Sequence, residues 1–401
     1  MTSTKFQRRA LLIIANSLNT LVLPLLTPIV SLLVVRFASV DLWGEFVHVL
    51  IIVQLASHVI AWGNKEYLLR EFSFNPAQIS RAWQTSLITR SALFVVVCAV
   101  VSLSGLPIRR LPLVMLWILG LTLYQAYDVL ILYKRAFAFS VLVELGSLAV
   151  LASMIVWLRS SVDLDLLIAL FGVMHVAKAA VFLLRFRAHA IERYLGRFEL
   201  NYFVLAFPFF LLGFSGMLQS RIDLFCVNYF LSRSEVGQYQ VFANFLIYVQ
   251  TASYFVLNPF VKSIYRLGYN TILKMSLRLF MFGILMLFPA LVAVHLILSH
   301  LYRFTLSWYV LVVGGLFVVP IYFYLPIIYT LYKANLQSIV LKINLLGIAV
   351  NLLLSLLLLP RLGMIGAVIA IALAQWSMFI AYLVQGRVVR DDRVFAVSEL
   401  S

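Results

Sequence analysis

Phe214-Ser-Gly-Met-Leu-Gln-Ser-Arg221-Ile-Asp223-Leu-Phe-Cys-Val-Asn-Tyr-Phe230-Leu-Ser-Arg-Ser-Glu-Val-Gly-Gln-Tyr239 sets two charged side chains inside an apolar run long enough to cross a bilayer. Its end echoes an earlier stretch, Phe37-Ala-Ser-Val-Asp-Leu-Trp-Gly-Glu-Phe46, at a constant offset of 193 residues. The shared pattern is Phe-x-Ser-x-polar-x-x-Gly-(Glu/Gln)-aromatic. Each copy is expected in the turn between one long apolar segment and the next. The chain therefore reads as two related halves, with intramembrane charges in the first helix of the second half.

Composition sets the class. Hydrophobic residues make up 64% of the 401 and charged residues 11%, and the mean hydropathy is +1.03. A soluble chain of this length does not bury so much apolar surface, and repeated apolar runs of about 20 residues mark membrane-spanning helices. Strands of a membrane barrel would instead alternate every second residue. The expected fold is an all-α integral membrane protein with twelve transmembrane helices. The first is expected at about 10–35, the seventh at about 200–231, the eighth at about 236–258 and the last at about 363–385. The expected organisation is an N-terminal six-helix bundle over 1–190, a cytoplasmic linker over 191–199, a C-terminal six-helix bundle over 200–390 and a tail over 391–401.

The net charge of +16 lies mostly in short connections and reads as topology, with no nucleic-acid partner. One alternating set of connections holds Arg36, Arg109, Arg110, Arg159, Arg233, Arg303 and Arg361. The other set holds the remaining Lys and Arg apart from Lys178 and Arg221. It begins with Lys5, Arg8 and Arg9, includes Lys65, Arg90, Arg193, Lys262 and Arg266, and ends with Arg387, Arg390 and Arg393. The richer set is expected on the cytoplasmic side, with both termini.

Several spans carry polar stripes at helical spacing. These are Asn16, Thr20, Thr27 and Ser31 in the first, with Pro24 and Pro28; Ser140, Glu144 and Ser147 in the fifth; and Ser215, Gln219 and Asp223 in the seventh. The eighth carries Gln240, Asn244, Tyr248, Thr251 and Asn258, and the eleventh Asn344, Asn351 and Ser355. Any one stripe reads equally as helix–helix contact; stripes in both halves favour a shared polar cavity. The intramembrane ionisable residues are Asp128, Glu144, Lys178, Arg221 and Asp223. Each costs at least about 2.5–3.5 kcal/mol to place in hydrocarbon, so each has a partner or a function. Asp223 with Lys178 and Glu144 with Arg221 are possible ion pairs. Arg221 and Asp223, two residues apart, do not face each other on one helix. No metalloprotease, nucleophile-elbow, Walker or dinucleotide fingerprint occurs. The sequence thus gives no catalytic residues, metal or cofactor, and no case for an enzyme.

The Arg-x-Asp of the seventh span and the Phe-Leu-Ser-x-x-Glu-Val-Gly-x-Tyr that follows resemble the polysaccharide flippases of O-antigen, capsule and exopolysaccharide assembly. Trp43-Gly-Glu-Phe46 and Gly363-Met-Ile-Gly-Ala-Val-Ile-Ala370 are similar to the same family. Its superfamily also holds multidrug and toxic compound extrusion transporters and the lipid II flippase. The resemblance implies two six-helix bundles facing each other in a V and alternating access. It implies an undecaprenyl-diphosphate-linked oligosaccharide as cargo, moved from the cytoplasmic to the periplasmic leaflet of a bacterial inner membrane. It further implies membrane lipids, a polysaccharide polymerase and chain-length machinery as partners.

A diphosphate cargo needs cations, and Arg36, Lys178 and Arg221 are the candidates; Asn244 and Tyr248 are placed to meet sugars. Asp128, Glu144 and Asp223 are candidates for ion coupling or ion pairs. Arg36 reads equally as an interfacial arginine reaching for headgroups. A cation-coupled multidrug exporter on the same fold is an alternative, and it calls for a more acidic cavity. A polytopic polymerase or glycosyltransferase is another, and it calls for longer outer loops than this chain has.

Overall fold

The computed structural model describes residues 27–191, 196–257, 264, 267–334 and 336–398. Lys5, Arg8, Arg9, Asn16, Thr20, Pro24, Arg193, Asn258, Lys262 and Arg266 lie outside the described residues. Among those described there is no strand. The helices in order are α1 (Thr27–Phe37), α2 (Val40–Ala61), α3 (Asn64–Phe74), α4 (Ile79–Ser102), α5 (Leu111–Ala126), α6 (Asp128–Lys134), α7 (Phe137–Leu158) and α8 (Leu164–Arg185). They continue as α9 (Arg187–Ala190), α10 (Asn201–Phe230), α11 (Arg233–Leu257), α12 (Tyr269–Leu296), α13 (Trp308–Lys333), α14 (Gln337–Leu362) and α15 (Met364–Ser398).

Ten helices among the described residues are long and apolar enough to cross a membrane, and the protein is a multi-pass membrane protein. That count leaves out two of the twelve expected spans. Only Thr27–Phe37 of the first is described, and the eighth, α11, is a continuous helix whose apolar run is interrupted by Gln238, Gln240, Asn244 and Gln250.

The repeated motif proves to be a helix start, not a free turn. Ser39 precedes α2 and its Oγ accepts from the Leu42 amide at 3.0 Å. Ser232 precedes α11; its Oγ accepts from the Glu235 amide at 3.4 Å, and the Glu235 carboxylate accepts from the Ser232 amide at 3.0 Å. The first is an N-cap and the second a reciprocal capping box. Gly44 and Gly237 therefore sit in the first turns of helices, at the same place in each. The aromatic that ends the motif is buried in both copies, as Phe46 and as Tyr239.

The chain divides into two compact units, the described residues up to Phe214 forming one and those from Ser215 the other. The division falls inside α10; the 191–199 stretch that the sequence marks as a linker precedes that helix. In the first unit the span built from α5 and α6 is the most enclosed, and in the second α13 is. These are the fourth and tenth expected spans, so each half encloses the same helix.

The first unit's core stacks Phe46 against Trp43 and Trp117 at 5.2 Å. A second cluster gathers Trp83, Tyr127, Phe182 and Phe186. The Trp83 indole N–H donates to the Ala126 carbonyl at 2.8 Å, where α5 gives way to α6. Between α2 and α3 the chain turns through Trp62 (φ 46) and Gly63 (φ 66). Gly63 is obligatory on two grounds: its left-handed φ, and the Phe210 amide nitrogen, which would lie 2.5 Å from an added Cβ. The Trp62 ring stacks on Phe210 at 4.2 Å, and its N–H donates to the Phe203 carbonyl at 3.0 Å.

Residues 196–199 lie along α4. The amide of Gly196 donates to Gln84 Oε1 at 3.1 Å, that of Arg197 to Thr85 Oγ1 at 3.2 Å and that of Glu199 to Thr89 Oγ1 at 3.1 Å.

In the second unit α13 carries two internal prolines, Pro320 and Pro326. A helical proline gives no N–H and leaves the carbonyl four residues back without its donor. For Pro320 that carbonyl is Leu316, and the Trp376 indole N–H fills the place at 3.0 Å. The next carbonyl, Phe317, accepts from Gln250 Nε2 at 3.0 Å. Side chains of α15 and α11 thus fasten the central helix where its own ladder is interrupted.

Candidate functional site

The candidate residues fall into two charged centres, one in each unit. In the first, Glu144 on α7 and Lys178 on α8 form an ion pair of 2.7 Å, with exposures of 0% and 3%. The second carboxylate oxygen accepts from the Tyr124 hydroxyl at 2.5 Å. The ammonium also lies 5.2 Å from the Tyr124 ring centroid, within cation–π range. His175, one turn before Lys178, is tied to the Phe171 carbonyl at 2.7 Å. Both charges are thus answered inside the unit, by a short charge-assisted bond and a phenol.

The ion pairs weighed from sequence, Asp223 with Lys178 and Glu144 with Arg221, are not the ones formed. α7 and α8 make a hairpin, and Glu144 and Lys178 stand equally far on either side of Ser161. Residues equidistant from a hairpin turn share a depth in the membrane. That rule gives the two residues a common depth from sequence alone.

The same rule about Leu231 places Asp223 level with Tyr239. The Tyr239 hydroxyl does donate to Asp223 Oδ2. Arg221 Nη1 donates to Asn244 Oδ1 at 3.0 Å. Among the described residues neither Arg221 nor Asp223 has a salt-bridge partner. Among the described residues two polar atoms here are buried without a hydrogen-bond partner, Asp223 Oδ1 and Asn244 Nδ2. Arg221 is half-buried, whereas Asp223 is 2% exposed. Tyr248 is half-buried one turn beyond Asn244 on α11.

The remaining candidates stand apart from these centres. Asp128 opens α6 and forms no salt bridge among the described residues. Arg36 is exposed beside the end of α1. Of the polar stripes, Ser140, Ser215, Gln240, Asn351 and Ser355 are buried.

Sequence reasoning passed over Tyr124 and Tyr239, the phenols that bind the two carboxylates; Tyr239 is the aromatic of the repeated motif. It also counted Arg90 with the connection charges. The structure buries Arg90 within α4 at 2% exposure, with its Nε donating to the Ser86 carbonyl at 3.3 Å and Nη2 unbonded.

No family model matches the chain, and no curated protein does. Similar solved structures include the lipid II flippase MurJ in an inward closed conformation. It has 12% identity and a TM-score of 0.57, covering 94% of this chain and 87% of that one. The MATE transporter VcmN of Vibrio cholerae in its bent form has 13% identity and a TM-score of 0.43, covering 93% of this chain and 98% of that one. The likeness to the MurJ structure shows the fold: an all-α membrane architecture shared over nearly the whole chain.

Proposed function

We propose that the protein is a flippase for lipid-linked oligosaccharides in a bacterial inner membrane. Its cargo would be an undecaprenyl-diphosphate-linked repeat unit, carried to the periplasmic leaflet by alternating access. The observation that carries this reading is Arg221, a half-buried membrane cation that among the described residues hydrogen-bonds to the amide of Asn244 and forms no salt bridge. A guanidinium so placed has N–H groups left for an anion, and its planar fork suits phosphate oxygens. The MurJ-like fold supports the reading.

The alternative of an organic-cation exporter calls for accessible acids. Glu144 is closed off by Lys178 and Tyr124, and Asp223 is buried beneath Tyr239. Lys178, engaged by Glu144, enters the proposal as a structural cation, so that Arg221 with Asn244 and Tyr248 forms the headgroup site.

The test is translocation in vesicles containing the purified protein. One lumenal enzyme would report arrival of undecaprenyl-diphosphate-linked oligosaccharide, and a dye-efflux assay would run in parallel. Translocation of the glycolipid without dye efflux is expected. Efflux of cationic dye with no glycolipid movement would overturn the reading.

A further inference from the structure

The second unit contains a cavity of about 360 Å³ that Arg221 does not line. It lies among α10, α11, α13, α14 and α15, and that volume is within the range of small-molecule sites. Its chemistry is distinctive. Among the described residues no Asp, Glu, Lys, Arg or His lines it, yet amides and phenols recur in its wall: Gln219, Asn344 and Gln375, with Tyr254 and Tyr324.

Some of these polar groups are engaged. Gln375 Oε1 accepts from the Tyr324 hydroxyl at 2.6 Å, which holds both side chains in place. Among the described residues Gln219 and Asn344 make no hydrogen bond to the protein, and their half-exposed side chains face the cavity from α10 and α14. An amide offers a donor pair and an acceptor, so these two present matched valences to whatever enters.

We infer that this cavity is a binding site for neutral sugar rings, separate from the headgroup site at Arg221. The inference rests on the flippase reading and names where the glycan would go. A diphosphate or an organic cation entering here would lose its hydration and find no counter-charge. A hydrocarbon tail would strip water from the amides and return no hydrogen bond. A sugar ring has the complementary surface: hydroxyls for the amides around its rim, and an apolar C–H face for the tyrosine rings. Gln219 and Arg221 are both on α10, so one helix would touch the headgroup and the first sugars.

The test uses three ligands. The first is the carrier-linked glycan extracted from cells lacking this protein, the second is bare undecaprenyl diphosphate, and the third is the glycan released by mild acid. Binding is measured to the purified full chain and to three variants. Asn344→Leu removes the amide while keeping the branching and heavy-atom count of the side chain. Gly216→Leu fills the cavity from a position where an added Cβ meets no atom within 4 Å, and thermal unfolding in detergent checks that the variant is folded. Arg221→Ala removes the headgroup cation.

Asn344→Leu and Gly216→Leu should each weaken the glycosylated carrier about tenfold, the scale of one or two lost hydrogen bonds. Both should leave bare undecaprenyl diphosphate unchanged. Arg221→Ala should weaken both carriers and spare the released glycan. The inference is overturned if both cavity variants bind the glycosylated carrier as the wild type does, or if both lose the bare carrier equally. If the wild type binds none of the three ligands, or its loss leaves no carrier-linked glycan behind, the flippase reading itself fails and takes this site with it.

Discussion

The two charged centres make opposite uses of the same ingredients. Each has an acid met by a tyrosine and a cation near it on a membrane helix. In the first unit the acid and the cation bind each other, and the group as a whole is neutral and closed. In the second unit they do not: Asp223 has Tyr239, Arg221 has Asn244, and polar valences remain unfilled on Asp223 and Asn244. A paired charge in a membrane protein is a fastening. A charge hydrogen-bonded to a neutral amide keeps capacity for a ligand, and on that difference we propose structure in one unit and recognition in the other.

The largest test of this contrast is at Arg221. Arg221→Ala should reduce polysaccharide export to background while the protein inserts normally, and Arg221→Lys should restore it only in part, because an ammonium lacks the planar fork. Export at wild-type level in Arg221→Ala cells would remove the functional half of the comparison.

Next comes the first unit's pair. Lys178→Met leaves Glu144 buried without its counter-ion and should cost about 3–5 kcal/mol. Adding Glu144→Leu should return most of that stability, and export with it. Thermal unfolding in detergent reads the first effect and cell-surface polysaccharide the second. A double variant that is stable yet inactive would show the pair to be part of the transport site.

A smaller effect is expected at Tyr239, the counterpart of Phe46 in the repeat. Tyr239→Phe removes the donor from Asp223 and should destabilise by about 1–3 kcal/mol. The reverse change, Phe46→Tyr, adds a hydroxyl among Trp43, Trp117 and Phe171 and gains no carboxylate. Equal stability of Tyr239→Phe and wild type in denaturant titration would mean that the bond to Asp223 contributes nothing. Smallest are the caps. Ser39→Ala and Ser232→Ala should each cost about 1 kcal/mol, with Ser232→Ala the greater because Glu235 also loses the Ser232 hydroxyl that donates to its carboxylate at 2.7 Å. Reversal of that order would show the two helix starts not to be equivalent.

The helices were legible because apolar runs between charged connections leave few alternatives in a membrane. The halves were legible because Ser39 and Ser232, with their glycines and aromatics, recur at one spacing. The meaning of that motif was hidden: a serine before an apolar run reads as a turn residue or a cap until the hydrogen bond to the third residue on is seen. The charges were legible and their partners were not. Sequence gives the depth of Glu144 and Lys178 but not the rotation of α7 and α8 that turns them together. Arg90 was misplaced because charge alone pointed to a connection, whereas α4 keeps it inside against its own backbone. The amide-lined cavity left a trace in the stripes through Gln219 and Asn344, but those helices are far apart in the chain and only packing joins them.

The strap at residues 196–199 has a consequence for how this protein tolerates substitution. What α4 holds there is backbone: three amide N–H groups that every residue except proline supplies. The side chains of Arg197, Phe198 and Glu199 are exposed. Almost any sequence can therefore occupy those three places, proline at 197 or 199 excepted. Gly196 cannot vary, because an added Cβ would lie 2.7 Å from Ile88 and 2.8 Å from Gln84. The specificity of the joint is written on the other partner, in Gln84, Thr85 and Thr89. A saturation screen across both segments should return a near-flat tolerance profile at 197–199 and a steep one at those three positions of α4.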